Sequence, residues 1–240
     1  MKLTPNILYE ILLEEFGKAN WWPIDKKYHK KNDSDPRFEI ILGAILTQNT
    51  SWSNVEKALK NLKSKNMLSM KKILNVEITN LQSMIRPSGF FKQKANRIKI
   101  LTSYIYNKYN GNLDYFFNGK IRNIREELLS LKGIGPETAD SIMLYAGNLT
   151  IFVVDAYTKR ICERLPLDTN ISYNEIQEYF EIQLGKNYRE KDLMKIYGEL
   201  HALIVTLAKA YCKKKPNCIE CPFKNTCAFK KNYFNNSSTF

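Results

Sequence analysis

Along most of the chain, hydrophobic positions recur at helical spacing. Val55, Ala58, Leu59 and Leu62 line one side of a stretch whose other side carries Lys57, Lys60, Asn61 and Ser64. That three-and-four recurrence is the mark of an amphipathic helix. Ile98, Leu101 and Ile105 repeat it after Gly89. Arg37 to Leu46 differs, because Phe38, Ile40, Ile41, Leu42, Ala44, Ile45 and Leu46 leave almost no polar face; such a segment predicts a central helix. A polar turn, Gln48-Asn49-Thr50, should follow it. Alternation of period two is confined to Ile151 to Val154, a short strand-like piece, so the pattern as a whole predicts an all-α protein. Lys26 to Asp35, rich in Lys, Asn and Asp, reads as a charged linker and a domain crossing. From Asn232 onward the Asn, Ser and Thr content predicts a frayed tail. The expected division is a helical domain over 36–149 and a second lobe from 1–35 with 150–240.

Charge narrows the choice of partner. The 240 residues hold 37 Lys and Arg against 24 Asp and Glu, a formal net charge of +13, which favours an extended polyanion over a small ligand. No stretch reaches the ~18 apolar residues of a membrane span, and Met1 to Pro5 has no apolar run behind it. The expectation is a monomeric cytoplasmic protein, associated with the nucleoid if that polyanion is DNA. Four of the five cysteines fall between Cys212 and Cys227, which in a reducing compartment reads as metal ligation. Cys162 stands apart and reads as a small buried apolar residue.

Leu128, Leu129 and Leu131 end one predicted helix, Gly133-Ile134-Gly135 makes a turn, and Pro136 opens the next helix where its missing N–H costs nothing. Glycines there can take positive φ and let a phosphate approach backbone N–H groups. A plain helical hairpin would look the same. The longer pattern is more specific: Lys132-Gly133-Ile134-Gly135-Pro136-Glu137-Thr138-Ala139-Asp140, followed by Val153-Val154-Asp155, resembles the helix-hairpin-helix glycosylases of the endonuclease III superfamily. The resemblance spans roughly residues 20–229 and implies a two-lobed all-α helix-hairpin-helix fold with double-stranded DNA across the cleft between the lobes.

Within that resemblance, Asp155 matches the family's catalytic aspartate. A fixed carboxylate there can stabilise the cationic sugar formed as an N-glycosidic bond breaks and can help activate water. Asp155 also reads as an N-cap for the helix starting at Ala156. Members that cut the strand carry a lysine 18 residues before this aspartate, and here position 137 is Glu137. A carboxylate forms no imine, so the lyase step should be absent or weak and Glu137 should serve the site as an acid at a helix start.

A glycosylase must hold an extruded base between flat side chains. Trp21-Trp22-Pro23, then Gly43 to Thr50 with Trp52 behind, resemble the 3-methyladenine glycosylases of endonuclease III type, as does Arg86 to Ala95. The resemblance implies a pocket from Trp21, Trp22, Pro23 and Trp52 for an alkylated, cationic purine, which an indole face attracts by ~0.5–2 kcal/mol. Each tryptophan taken singly reads more readily as core than as pocket. Gln48 or Asn49 could fill the gap left by the base, and Pro87, Ser88 or Phe90, around Gly89, could wedge the duplex. Lys209 is the best match to a modified pocket lysine of that subgroup, with a solvated helix-end lysine as the other reading. His201 reads as structural, bonded to the cluster region or a phosphate.

Cys212, Cys218, Cys221 and Cys227 are separated by five, two and five residues, one short in the first gap of the superfamily's six, two and five pattern for a [4Fe-4S] loop. Tetrahedral zinc is the chemical alternative. Lys213, Lys214, Lys215 and Lys224 would then face phosphate. The expected activity is monofunctional excision of an alkylated purine, leaving an abasic site; uracil or 8-oxoguanine as substrate, or DNA binding without catalysis, are the alternatives.

Overall fold

A computed structural model describes residues 3–230, and the tail predicted from Asn232 onward lies outside the described residues. The elements are α1 (Pro5–Phe16), α2 (Lys26–Asn32), α3 (Pro36–Leu46), α4 (Trp52–Ser64), α5 (Met70–Asn75), α6 (Ile78–Ile85), a 3-10 turn (Arg86–Ser88), α7 (Phe91–Tyr109), α8 (Leu113–Phe117), α9 (Ile121–Ser130), α10 (Pro136–Ser141), a π-helical turn (Ile142–Ala146), α11 (Ala156–Arg164), α12 (Tyr173–Gly185) and α13 (Glu190–Ala210). The described chain contains no strand. It divides into two compact units, Trp22–Leu149 and the residues up to Trp21 together with those from Thr150 onward.

The unit Trp22–Leu149 is built around α3, buried at every position from Phe38 to Leu46, as its apolar run predicts. Asp35 caps it by accepting the Arg37 N–H, and Pro36 occupies its first turn; both are favoured there because helix-start N–H groups need outside acceptors and proline has no N–H to satisfy. The predicted apolar faces at Val55, Ala58, Leu59 and Leu62 and at Ile98, Leu101 and Ile105 are buried in α4 and α7.

Lys26 to Asp35 is not a linker. Its first seven residues form α2, capped by Asp25 through the Tyr28 N–H. What fixes this polar helix is one carboxylate: Glu39, 1% exposed on α3, pairs with His29 Nε2 at 2.6 Å and Lys63 Nζ at 2.7 Å. A buried carboxylate needs such partners, so the charges that suggested solvent are a reason for order.

In the other unit α1, α11, α12 and α13 pack together. The predicted strand-like piece, Ile151 to Val154, is buried on both sides and pairs with no strand. Two side chains of α12 take the place of a ladder: Glu181 Oε1 accepts the Phe152 N–H at 2.8 Å and Gln177 Nε2 donates to the Phe152 carbonyl at 2.6 Å. Phe152 also stacks on Phe180 with ring centroids 4.6 Å apart. The segment is thereby held rigid up to Asp155.

Candidate active site and nucleic-acid interface

Asp155 sits where that extended segment turns into α11. Its Oδ1 accepts the Thr158 N–H at 2.7 Å and the Thr158 hydroxyl at 2.9 Å, which makes it the N-cap. Capping uses one oxygen and leaves the other for chemistry. Oδ2 lies 3.6 Å from His201 Nε2 on α13, an electrostatic contact longer than a direct hydrogen bond. Burial alone would raise the carboxyl's pKa, but His201 and the two Thr158 donors outweigh it and hold the group below its ordinary value. The result is a buried carboxylate kept ionised, which can stabilise a neighbouring cation more strongly than water can. Sequence reasoning gave His201 only a structural role; nothing in helical periodicity signals its partner on another element.

On the same unit, Lys209 is exposed with its Nζ 5.9 Å from the Tyr157 ring centre. Trp21 belongs to this unit, half-buried, whereas Trp22 and the exposed Pro23 belong to the other.

In the Trp22–Leu149 unit the structure brings Trp22 and Trp52 together. Their rings meet edge to face, centroids 5.3 Å apart at 86°, rather than as parallel plates. Tyr145 closes on Trp22 from a third direction at 5.4 Å; it was not among the expected pocket residues. It is presented by the π-helical turn, where Gly147 N–H reaches the Ile142 carbonyl at 3.0 Å; such turns frequently occur at functional sites. Trp22 lies against Gly43 so closely that a Cβ there would stand 2.7 Å from Trp22 Cζ2. The glycine in the middle of an otherwise apolar helix is explained by that indole.

The hairpin joins α9 to α10. Arg125 Nε and Nη2 grip the fully buried Asp140 carboxylate at 2.7 and 3.1 Å, tying the two helices. Gly133 has φ +89, and a Cβ on it would lie 2.8 Å from Arg97 Cδ. Gly135 differs from expectation: its φ is −97, it is the N-cap of α10, and a Cβ would meet nothing. Its lack of side chain leaves that face open rather than permitting a strained turn. Lys132 and Glu137 are exposed and Ile134 is 5% exposed, so Ile134 anchors the turn to the core.

Gln48 Nε2 donates to the Gly133 carbonyl at 3.2 Å and to Thr138 Oγ1 at 2.8 Å, and its Oε1 accepts from Arg97. Gln48 is therefore occupied, whereas Asn49 is exposed with φ +52. In the second loop Ser88 is fully buried, Pro87 and Gly89 are half-buried, and Phe90 is 61% exposed at φ +45. An exposed phenylalanine in a left-handed conformation is disfavoured twice over.

Cys212, Cys218, Cys221 and Cys227 line one cavity with Arg164 and Phe223. Arg164 Nη1 donates to Cys212 Sγ at 3.3 Å, and Cys227 Sγ donates to the Arg164 carbonyl at 3.4 Å. Burial pushes the Cys218 thiol up and the Cys221 thiol to about 11, and in both the neighbouring thiols add to the rise. Four soft donors lining one cavity fit a thiolate-bound cluster in kind and number. Among the described residues no group of three His, Cys, Asp or Glu side chains is placed to hold a metal ion. Cys162 is buried, its thiol pushed up to about 12 by burial and Glu163, as expected of an inert apolar residue. No described helix is long and apolar enough to cross a membrane.

Comparison with known proteins places these features in company. The family described as HhH-GPD superfamily base excision DNA repair protein matches residues 42–184. A putative DNA repair glycosylase of Methanocaldococcus jannaschii is 45% identical over 93% of this chain and 95% of its own. Endonuclease III of Thermotoga maritima is 26% identical over 91% and 93% of the two chains. Among solved structures, the H. pylori 3-methyladenine DNA glycosylase bound to 1,N6-ethenoadenine is 32% identical, covers 86% of this chain and 98% of that one, and superposes with a TM-score of 0.69. An endonuclease III–DNA complex, 21% identical with a TM-score of 0.72, shares the fold.

Proposed function

Because the chain belongs to the HhH-GPD superfamily of base excision DNA repair proteins and is a DNA glycosylase of that superfamily, we propose that it excises alkylated purines and leaves an abasic site without cutting the strand. The observation that carries the reading is Asp155, a buried carboxylate kept ionised with one oxygen left over from capping. As the base departs with the electrons of the N-glycosidic bond, positive charge grows on the sugar, and Asp155 stabilises it. Water then adds to the sugar carbon and loses a proton, completing hydrolysis.

The aromatic cluster of Trp22, Trp52 and Tyr145 supports that substrate class, because aromatic rings attract a cationic purine. Resemblance to a glycosylase whose structure holds an alkylated adenine derivative adds support. Alkylated purines already carry a weakened glycosidic bond, so one carboxylate is a sufficient catalyst. Glu137, exposed in the first turn of α10, offers no amine for an imine. Of the wedge candidates Phe90 is the exposed one, and Asn49 of the gap-filling pair. Cys212, Cys218, Cys221 and Cys227 would hold a [4Fe-4S] cluster, which would fix the loop carrying Lys213, Lys214, Lys215 and Lys224 toward phosphate.

A panel of duplexes with single lesions tests this. Breaks appearing only after alkali, on alkylated purines and lost in Asp155→Asn, are expected. Breaks without alkali would refute the absence of lyase chemistry, and cutting confined to uracil or 8-oxoguanine would refute the substrate. Glu137→Lys should gain a borohydride-trapped covalent complex with DNA.

A further inference from the structure

Lys94 is a fully buried lysine on the first turn of α7, 0% exposed, and the reaction above does not use it. Its Nζ donates to the Leu46 carbonyl at 2.7 Å and to the Ser88 carbonyl at 2.6 Å. Leu46 is the last residue of α3, so its carbonyl is one a helix leaves without an internal partner, at the end whose dipole favours a cation. Ser88 is the last residue of the 3-10 turn before Gly89 and Phe90. One ammonium group therefore joins the turn that bears Gln48 and Asn49 to the turn that bears Phe90.

Burying a lysine is costly. Desolvation, with Arg97 nearby, pushes its pKa down to about 8. An apolar side chain would avoid that penalty, so what the lysine does that an apolar residue cannot is hold two carbonyls from separate turns at a fixed distance. Both turns carry disfavoured backbone, Asn49 at φ +52 and Phe90 at φ +45; such strain persists only where surroundings over-determine it. One helical turn later Arg97 holds Gln48, which in turn bonds the Gly133 carbonyl and Thr138. The start of α7 is thus a common anchor for three loops of one unit.

We infer that Lys94 is a positioning residue for DNA distortion: by tying Leu46 to Ser88 it makes the Asn49 and Phe90 turns one rigid element that enters the duplex around the extruded base. The inference rests on the reading that these turns meet DNA, and it concerns neither Asp155 nor the aromatic cluster.

The test uses the full-length protein and a duplex carrying a tetrahydrofuran abasic analogue opposite 2-aminopurine, so it needs no excision. Lys94→Met, folded by circular dichroism, should bind this duplex within about threefold of the parent, because phosphate contacts dominate affinity. It should nevertheless lose the change in 2-aminopurine fluorescence that the parent produces. Its single-turnover excision should fall on the order of 100-fold, the scale of a misplacement of ~1 Å. A folded variant with the parental fluorescence change overturns the inference, as does a parent that leaves the fluorescence unaltered. If the parent excises no lesion yet gives the signal, the glycosylase reading fails and the inference stands. Should Lys94→Met not fold, Lys94→Arg keeps the donors and lengthens the tie. Amide hydrogen exchange in it should then rise together at residues 47–50 and 88–90 and not at 131–135. A rise at one turn alone, or throughout the unit, overturns it.

Discussion

Gly43→Ala asks whether the place of Trp22 is set by α3. An added Cβ would stand 2.7 Å from Cζ2 and 3.3 Å from Cε2 of the indole. Comfortable carbon contact begins at about 3.5 Å, so the ring must retreat by nearly 1 Å. Overpacking of this kind costs about 1–3 kcal/mol, while alanine regains about 1 kcal/mol of helix propensity over glycine. The net change in the parent is therefore a loss of up to about 2 kcal/mol. Trp22→Ala removes the obstacle, and in that background only the propensity remains, so Gly43→Ala should stabilise by about 1 kcal/mol. The effect changes sign between the two backgrounds. Urea unfolding of the four proteins at constant m-value measures it as a coupling of about 1–3 kcal/mol. In parallel, a displaced indole should lower excision of alkylated purines in Gly43→Ala by roughly 10-fold or more. Equal effects of Gly43→Ala in both backgrounds, within about 0.5 kcal/mol, would refute the packing argument and with it the account of why this helix contains a glycine.

Removing His201 as His201→Gln leaves only the Thr158 donors to oppose burial, so Asp155 should titrate higher and the acid limb of the excision rate should move to higher pH while affinity for DNA stays the same; an unmoved limb refutes the pairing. The sign for stability agrees: a carboxyl held below its ordinary value contributes stability that is full above about pH 3.9 and lost as pH falls through the lowered value. Arg125→Met removes the guanidinium that bonds the fully buried Asp140 carboxylate twice and should cost about 1.5–3 kcal/mol in urea unfolding, the worth of hydrogen bonds to a charged group, a loss under about 0.5 kcal/mol being the refuting result. Purified protein should be brown and contain iron and sulfide, and Cys218→Ser should lose most of both; zinc in colourless folded protein would overturn the cluster.

Which features were legible follows from the range of the force behind each. The burial of α3, the wet and dry faces of α4 and α7, and Pro136 at a helix start depend on neighbours three or four residues away, and all stand in the structure as the pattern reads. Lys26–Asn32 misled because a run of lysines normally means solvent, whereas order there comes from His29 and Lys63 meeting Glu39, three residues on three helices. Ile151–Val154 reads as strand-like and is extended, but its hydrogen bonds come from side chains rather than a neighbouring strand, since Gln177 and Glu181 supply them. The site repeats the lesson. Asp155 is visible as a cap because Thr158 is one turn away, but His201, which joins the Thr158 donors in keeping it charged, is contributed by α13. Lys94 likewise looks from sequence like one more basic residue in a protein of net charge +13, and only its two carbonyl partners set it apart. Polar groups that act at a distance in sequence carry no periodic signal, so the parts of this protein that place charge are those that required coordinates to find.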